Sequence, residues 1–245
     1  MYLALIAAAL ITSLISGVLS MAGGMILMGI FGLFLSVPAA MVLHGVTQTA
    51  SNGSRIWLYR NHIRWSVLYP YATGAAICVA IFAVFAFVPS KGLLFILIGC
   101  FPFLAIRLPE SIELDMERKP IALICGFVVT MAQLLAGASG PILDIFYNKS
   151  RLTRFEILGT KAITQTLGHI IKLLYYAFFI SMAVDIPIYV YPLVVLAAIA
   201  GNSLGKLVLE RISDDQFRTV GQYVIMVIGV FYIGKGIYEL IMPLV

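Results

Sequence analysis

Charged residues are scarce in this chain. Asp, Glu, Lys and Arg make up only 11% of its 245 residues, whereas a soluble domain typically carries about 25%. Hydrophobic residues make up 62% and the mean hydropathy is +1.04. A surface with so little charge must face lipid, which excludes a soluble globular protein. A span needs about 20 apolar residues, so the chain has room for about seven or eight helical segments of a multi-pass membrane protein.

Cysteine is also scarce, and basic surface patterns are missing. Cys78, Cys100 and Cys125 lie singly in apolar segments, so they form neither a disulfide framework nor a metal site and are expected to be reduced core residues. No basic stripe with interleaved aromatic residues is present, which excludes a nucleic-acid partner. The run from Tyr2 to Ile15 lacks the basic start of a signal peptide, so we interpret it as a retained helix. We expect no metal and no cofactor.

One polar pattern occurs twice in otherwise apolar segments. Polar residues inside a membrane span are unfavourable and usually face a substrate path or the bundle interior. Their repetition therefore indicates a duplicated transporter unit. The first copy consists of His44, Thr47, Gln48, Thr49 and Arg55, and the second, 117 residues later, of Lys161, Thr164, Gln165, Thr166 and Lys172.

Two further matches extend the repeat. Residues 21–24 align with residues 137–140, and the pair Tyr69-Pro70 aligns with Tyr191-Pro192. The only long polar connection, Arg107 to Lys119, holds seven charged residues and divides the chain near its middle. We therefore predict a first membrane repeat over 1–109, a cytoplasmic linker over 110–119 and a second membrane repeat over 120–245.

Equivalent loops of the two repeats differ in charge. The loop with Arg60 and Arg64 corresponds to a loop whose one charge is Asp185, and the uncharged residues 36–38 correspond to a basic loop around Arg151. Because basic short loops remain cytoplasmic, these loops lie on opposite sides of the membrane. The predicted basic cytoplasmic positions are Arg60, Arg64, Arg107, Arg118, Lys119, Lys149, Arg151, Arg154, Lys206, Arg211 and Arg218, with Lys91 outside.

This charge pattern predicts the fold class. We expect an all-α polytopic membrane protein of two inverted repeats, each a broken, re-entrant helical hairpin followed by three transmembrane helices. The hairpins would cover 2–35 and 120–148, and both termini would be extracytoplasmic. Full crossing of the membrane by these two segments remains an alternative.

Small residues interrupt the hairpins at matching places. Gly23-Gly24 and Ser139-Gly140 break apolar runs, and Pro141 suits the first turn of a new helix. Broken helices at corresponding positions of two halves are a sequence sign of a transporter site, because their N-termini present free N–H groups to an anion. Close helix packing by small residues is the alternative explanation.

The repeated polar residues share one helix face. At about 100° per residue, His44, Gln48 and Arg55 fall on one side of their helix, as do their counterparts in the second half. Hydroxyl and amide donors with a few cationic groups suit an oxyanion that must bind and then leave. The predicted substrate-binding residues are Gly23, Gly24, His44, Thr47, Gln48, Asn52, Ser139, Gly140, Lys161, Thr164 and Gln165.

Several of these polar residues also have structural explanations. Arg55 and Lys172 could snorkel to the membrane surface, and Lys161 could form an ion pair near Glu156. His44 and His169 could make interhelical hydrogen bonds. Asp144 could carry a coupling proton, as could His169. Alternatively, Asp144 could pair with Lys161.

The chain resembles the sulfite exporter TauE/SafE family of anion transporters. The resemblance rests on a Gly-rich break at 17–24, the loop Val37-Pro38, the Thr/Ser-rich stretch 47–52 and the basic loop 60–64 that ends in Trp65. It implies a multi-pass protein of a bacterial inner membrane. The implied substrates are sulfite, sulfoacetate or related sulfonates. We expect export, with import as the alternative, and the resemblance leaves both proton coupling and facilitated passage open.

Two other functions were weighed. Ser139 followed by His169 looks like the nucleophile and base of the rhomboid family of intramembrane serine proteases. However, Ser139 aligns with Gly23, so the repeat already explains the motif. A membrane assembly protein without a substrate is the other alternative. We predict a secondary transporter, not an enzyme, that acts by alternating access around a midplane anion site; its oligomeric state is open.

Overall fold

The computed structural model describes residues 1–19, 22–107, 114–148, 150–180, 186–209 and 214–242. Within these ranges the protein is all-helical, without a strand. Met21, residues 110–113, Lys149, Asp185 and Arg211, on which parts of the sequence predictions depend, lie outside the described residues.

Among the described residues, five α-helices precede the connection between Arg107 and Lys119 and five follow it. A 3-10 turn, Arg60–His62, follows α3, and a π-helical turn, Tyr175–Phe179, follows α8. The first half contains α1 Tyr2–Leu19, α2 Ala22–Phe34, α3 Val37–Tyr59, α4 Trp65–Phe85 and α5 Lys91–Arg107. The second contains α6 Lys119–Ala136, α7 Gly140–Asn148, α8 Arg154–Leu174, α9 Val190–Leu209 and α10 Asp214–Ile241.

Local capping explains where the two polar helices begin. The Ser36 hydroxyl accepts from the backbone N–H of Ala39 at the start of α3, with Pro38 in the first turn. Thr153 and Glu156 form a reciprocal capping box at the start of α8. At the end of α6, Gly137 adopts a left-handed conformation (φ 72°) that favours glycine.

The apolar helices confirm a membrane protein. Among the described residues, three segments are long and apolar enough to cross a membrane: Trp65–Phe85, Lys119–Ala136 and Tyr223–Ile241. Four shorter apolar helices cover Tyr2–Ser16, Ala22–Phe34, Lys91–Leu104 and Val190–Gly205. The polar stripes keep α3 and α8 out of this set, although α3, with 23 residues, is about 35 Å long at 1.5 Å per residue.

The most extensive helix contacts join the two halves. α3 packs along α8, α5 along α10, α1 against α9 and α4 against α6. The polar helices α3 and α8 thereby contact each other inside the molecule, away from lipid. Each half therefore completes the core of the other.

Glycines allow α5 and α10 to approach closely. A Cβ on Gly99 would lie 2.6 Å from the carbonyl oxygen of Gly229, and a Cβ on Gly229 would lie 2.8 Å from that of Gly99. Gly92 and Gly236 make the same kind of contact, with distances of 3.0 Å and 2.7 Å. Because Gly92 faces Gly236 while Gly99 faces Gly229, the two helices run antiparallel.

Candidate functional site

A small polar cavity lies where the helix breaks of the two halves meet. About 20 Å³ is open to the centre of a water-sized molecule, which is room for about one water. Both halves contribute polar side chains or backbone to its wall. The first half supplies Ser16, Gly24, His44, Gln48 and Asn52, and the second supplies Gln133, Ser139, Gly140, Gln165 and His169.

Gln48 brings an unsatisfied donor to this polar cavity. Its side chain is only 3% exposed, and its amide nitrogen Nε2 has no hydrogen-bond partner. Asn52, one turn along α3, donates to the Gln48 side-chain oxygen (3.3 Å) and to its backbone carbonyl (3.1 Å). The Gln48 oxygen is thus occupied while the N–H groups are left free. A buried unpaired donor is costly, so this amide is suited to a bound acceptor.

Lys172 and His44, termed here the Lys172–His44 pair, connect the two helix breaks. Lys172 Nζ lies 2.7 Å from His44 Nδ1 and donates to the carbonyl of Gly137, also at 2.7 Å. His44 Nε2 lies 2.8 Å from the carbonyl of Gly24 and must donate to it. The imidazole therefore carries a hydrogen on Nε2. This chain of bonds runs from the break before α7 to the first turn of α2.

A second network holds His169 on the opposite side. The amide nitrogen of Gln133 donates to His169 Nδ1 (2.6 Å) and to the Gly137 carbonyl (3.2 Å). The Ser139 hydroxyl donates to the Gln133 amide oxygen (2.6 Å). The rings of His169 and His44 lie 5.4 Å apart. Gln133 therefore fixes the orientation of the Ser139 and His169 side chains.

The breaks place two helix starts at the polar cavity. α7 begins at Gly140, and Gly24 lies in the first turn of α2, which begins at Ala22. N–H groups of a first turn have no intrahelical acceptor, and the helix dipole makes this end partly positive. A Cβ on Gly24 would lie 3.3 Å from the Gln48 amide nitrogen. A glycine here leaves that amide room beside the cavity.

A comparison with known protein families assigns the chain to a family. A model of the sulfite exporter TauE/SafE family matches residues 5–232, which is most of the chain. The chain belongs to the TauE/SafE family. No curated protein and no solved structure gave a significant match. The predicted resemblance is confirmed. Membership indicates a membrane transporter for small anions of the sulfite type.

The geometry of this TauE/SafE protein does not favour the protease alternative. A serine nucleophile needs its hydroxyl hydrogen-bonded to the histidine base. Here Ser139 donates to Gln133, and Gln133 in turn donates to His169. The amide of Gln133 thus occupies the position between the two groups that proton transfer would require.

Three predicted binding residues have structural roles in this conformation: two threonines bond to their own helix, and one glycine allows close packing. The Thr47 hydroxyl donates to the Leu43 carbonyl (2.7 Å), and the Thr164 hydroxyl lies 3.0 Å from the Thr160 carbonyl. Neither side chain lines the polar cavity. At Gly23, an added Cβ would meet the Thr12 carbonyl and the Ser16 hydroxyl at 1.9 and 2.2 Å. Close packing of α1 on α2 is the reason for a glycine at that position.

Several charged side chains of the two polar helices have partners within the protein. Lys161 and Asp144 make a salt bridge and are 7% and 8% exposed, so the pairing that the sequence left open for Asp144 is present. Glu156 pairs with Arg64 (2.7 Å). Arg55 donates to the Asn202 side chain of α9 (3.1 Å). Lys172 is completely buried and so does not snorkel to the surface.

Gln133 is the functional candidate that sequence reasoning missed. The repeat aligns it with Gly17, so duplication gave no signal at this position. A polar amide in the otherwise apolar α6, four residues before Gly137, was the available sign. Ser16 also lines the cavity and was missed. The repeat aligns it with Ala132, and a single serine in a membrane helix is too common to be a sign.

Proposed function

We propose that this TauE/SafE protein is an inner-membrane secondary transporter that exports sulfite, sulfoacetate or related sulfonates by alternating access. The observation that carries the proposal is the unpaired, buried amide of Gln48 in a polar cavity built by both halves. An anion oxygen is the acceptor that this amide lacks.

The wall of the polar cavity suits a sulfur oxyanion. Its donors are the Gln48 amide and the side chains of Gln165 and His169, together with the first-turn N–H groups near Gly24 and Gly140. Within the described part of the chain, no Asp or Glu lines the cavity. Neutral donors hold an anion without trapping it, whereas a cage of fixed charges would slow release. Lys172, behind His44, adds positive potential.

Alternating access is supported by the size of the cavity and by the arrangement of the halves. A space for about one water is too small for a sulfonate, so the wall must move for substrate to bind. The reciprocal glycine contacts of α5 and α10 suit two helices related by an axis in the membrane plane. The contact of α1 with α9 likewise corresponds to that of α6 with α4. Both observations favour inverted repeats.

Helix length supports the re-entrant arrangement. α7 has nine residues and is therefore about 14 Å long, less than half of the hydrocarbon core. α7 is therefore too short to cross the membrane by itself, as the second arm of a re-entrant hairpin would be. Labelling of His62→Cys and Ile188→Cys by an impermeant thiol reagent from the same side of the membrane would contradict the inversion.

The main test is anion flux from proteoliposomes with sulfite, sulfoacetate, taurine and sulfate. Replacement of Gln48 by Ala removes a hydrogen bond to a charged ligand, worth about 1.5–3 kcal/mol. We expect anion affinity to fall about 10- to 100-fold and the free energy of unfolding to change by about 1 kcal/mol or less, because the amide makes no folded-state bond through Nε2 and its oxygen accepts one hydrogen bond, from Asn52. Gln165→Ala should behave similarly.

A matched control lies on the same helix. Ser54→Ala removes a hydroxyl that bonds to the Ser51 carbonyl (2.8 Å) and does not line the cavity, so flux should remain. Normal flux in both glutamine variants would reject the site. Absence of flux and of any ligand-dependent thermal shift with every anion would reject the transport function and favour an assembly protein.

A further inference from the structure

A buried cationic group stands beside the polar cavity without a carboxylate to neutralise it. Lys172 is 0% exposed, and its two acceptors, His44 Nδ1 and the Gly137 carbonyl, are neutral groups. Among the residues that the structure describes, no Asp or Glu lies within salt-bridge distance of it. An isolated buried charge is highly unfavourable. The site therefore needs either an anion nearby or the loss of one proton.

We propose that the Lys172–His44 pair takes up one proton together with the transported anion and releases it when the anion leaves. The inference rests on the proposed transport function and adds its coupling ion. The anion in the polar cavity, which His44 lines, is the counter-charge of the protonated pair. Anion and proton consequently cross the membrane in the same direction, so export is driven by the outward gradient of the anion and is opposed by an inward proton gradient.

The hydrogen bonds identify the atoms that exchange this proton. His44 Nε2 donates to the Gly24 carbonyl, so this nitrogen keeps its hydrogen throughout. The additional proton is therefore shared between Lys172 Nζ and His44 Nδ1, which lie 2.7 Å apart. Either atom of the pair can hold it, and the total charge is one positive charge in both cases.

The empty state is compatible with a neutral amine. A neutral lysine has two N–H groups, and the structure provides two acceptors for them, His44 Nδ1 and the Gly137 carbonyl. An ammonium has a third N–H, for which the described part of the chain supplies no acceptor. The deprotonated pair thus retains all of its hydrogen bonds. Protonation adds one N–H group without an acceptor, and an oxygen of the anion can accept from it.

The other titratable groups near the Lys172–His44 pair are less suited to exchange the proton. His169 is another titratable group close to the pair, with its ring 5.4 Å from the His44 ring, and Gln133 occupies its Nδ1. Lys161 is already neutralised by Asp144. α2 carries no titratable side chain. Further titratable groups on the packed elements include Arg55 and Tyr59 of α3, Tyr69, Tyr71 and Cys78 of α4, Lys119 and Cys125 of α6, Tyr147 of α7, Glu156 of α8, Tyr191 of α9, and Tyr175 and Tyr176 after α8.

The experiment measures protons taken up per anion bound. Calorimetric titration of the full chain in detergent is carried out with isethionate, sulfate and sulfite, in buffers of different ionisation enthalpy. Wild-type protein is compared with Lys172→Arg, which keeps a fixed charge, and with Lys172→Met, which has none. Because the anion's own titration is the same for all variants, the difference between them isolates the proton that the protein binds.

The expected result separates coupling from a structural role. Wild-type protein should bind up to one more proton per anion than either variant. Its affinity should fall about tenfold per pH unit above the apparent pKa of the pair. Lys172→Arg should bind the anion with little dependence on pH, which a merely structural lysine would not explain. Lys91→Met, at the start of α5 and distant from the cavity, serves as the lysine control and should show wild-type proton uptake.

Three outcomes would overturn the inference or its basis. Anion binding by wild-type protein without proton uptake would refute coupling and leave the transport function intact. Undiminished proton uptake in Lys172→Arg would refute the assignment to this pair. Absence of binding of all three anions and of flux in wild-type protein would reject the proposed function itself. If the lysine variants fail to fold, the wild-type proton number alone still decides between coupling and its absence.

Discussion

The same polar stripe in α3 and α8 has different uses in the two halves. In α3, His44 and Gln48 both line the polar cavity, and His44 bonds to Lys172 and Gly24. In α8, Gln165 and His169, the counterparts of Gln48 and Asn52, line the cavity, while Lys161, the counterpart of His44, pairs with Asp144 of α7. The difference arises from the neighbouring half-helix, since Met28 of α2 stands where Asp144 stands in α7.

This comparison shows that duplication preserved the donors at the centre and altered the charges around them. Gln48 and Gln165 both reach the polar cavity from opposite walls. The cationic contribution is asymmetric because one lysine is neutralised by a carboxylate and the other, Lys172, is not. The two halves therefore build one site with unequal parts.

The largest expected effect concerns the pair that distinguishes the halves. Lys161→Met leaves Asp144 as an uncompensated buried charge and should lower the free energy of unfolding by about 3–5 kcal/mol. The double variant Lys161→Met, Asp144→Leu should recover most of this loss, because no buried charge remains. Thermal unfolding in detergent measures both. Anion flux in the stable double variant checks that Lys161 is not a binding residue; loss of flux with normal stability would return it to the site.

A smaller effect is expected where the halves match. Gly99→Ala and Gly229→Ala each place a Cβ within 2.8 Å of a carbonyl oxygen of the facing helix, and such overpacking costs about 1–3 kcal/mol. Because the contact is reciprocal, the two losses should be similar in thermal unfolding experiments.

Gly234 provides the control for this comparison on α10 itself. An added Cβ there meets nothing within 4 Å, so Gly234→Ala should stabilise the helix by about 0.5–1 kcal/mol. Clearly unequal effects of Gly99→Ala and Gly229→Ala would contradict a symmetric interface between α5 and α10.

The smallest effect is expected at the repeated threonines. Thr47→Val and Thr164→Val remove hydroxyl groups that bond to their own helix, so stability should change by about 1 kcal/mol or less. Anion affinity should change less than in Gln48→Ala. An affinity loss as large as that of the glutamine variant would show that the hydroxyls turn toward the anion during transport.

Particular residues show how far the sequence alone could lead. The break at Ser139-Gly140 and the central Gln48 were predicted from composition and repetition, because polar and small residues inside apolar segments are rare. Gln133 was not predicted, because its role depends on His169, which lies 36 residues farther along the chain and packs beside it only after folding. The threonines were predicted as ligands because their spacing places them on the polar face of each helix. Spacing does not reveal that their hydroxyl groups donate to backbone carbonyls of the same helix.

The amino-acid sequence by itself predicted a helical membrane protein of the TauE/SafE family, which the apolar helices and the family match confirm, and a repeat of polar groups in the two halves of the chain. These properties depend on hydrophobicity and period, which are local. Only the tertiary structure decided which charges neutralise one another, which amide remains without a partner and which lysine is buried beside the polar cavity. Those outcomes depend on distances of 3–4 Å between distant segments, and salt bridges and hydrogen bonds form only at such distances.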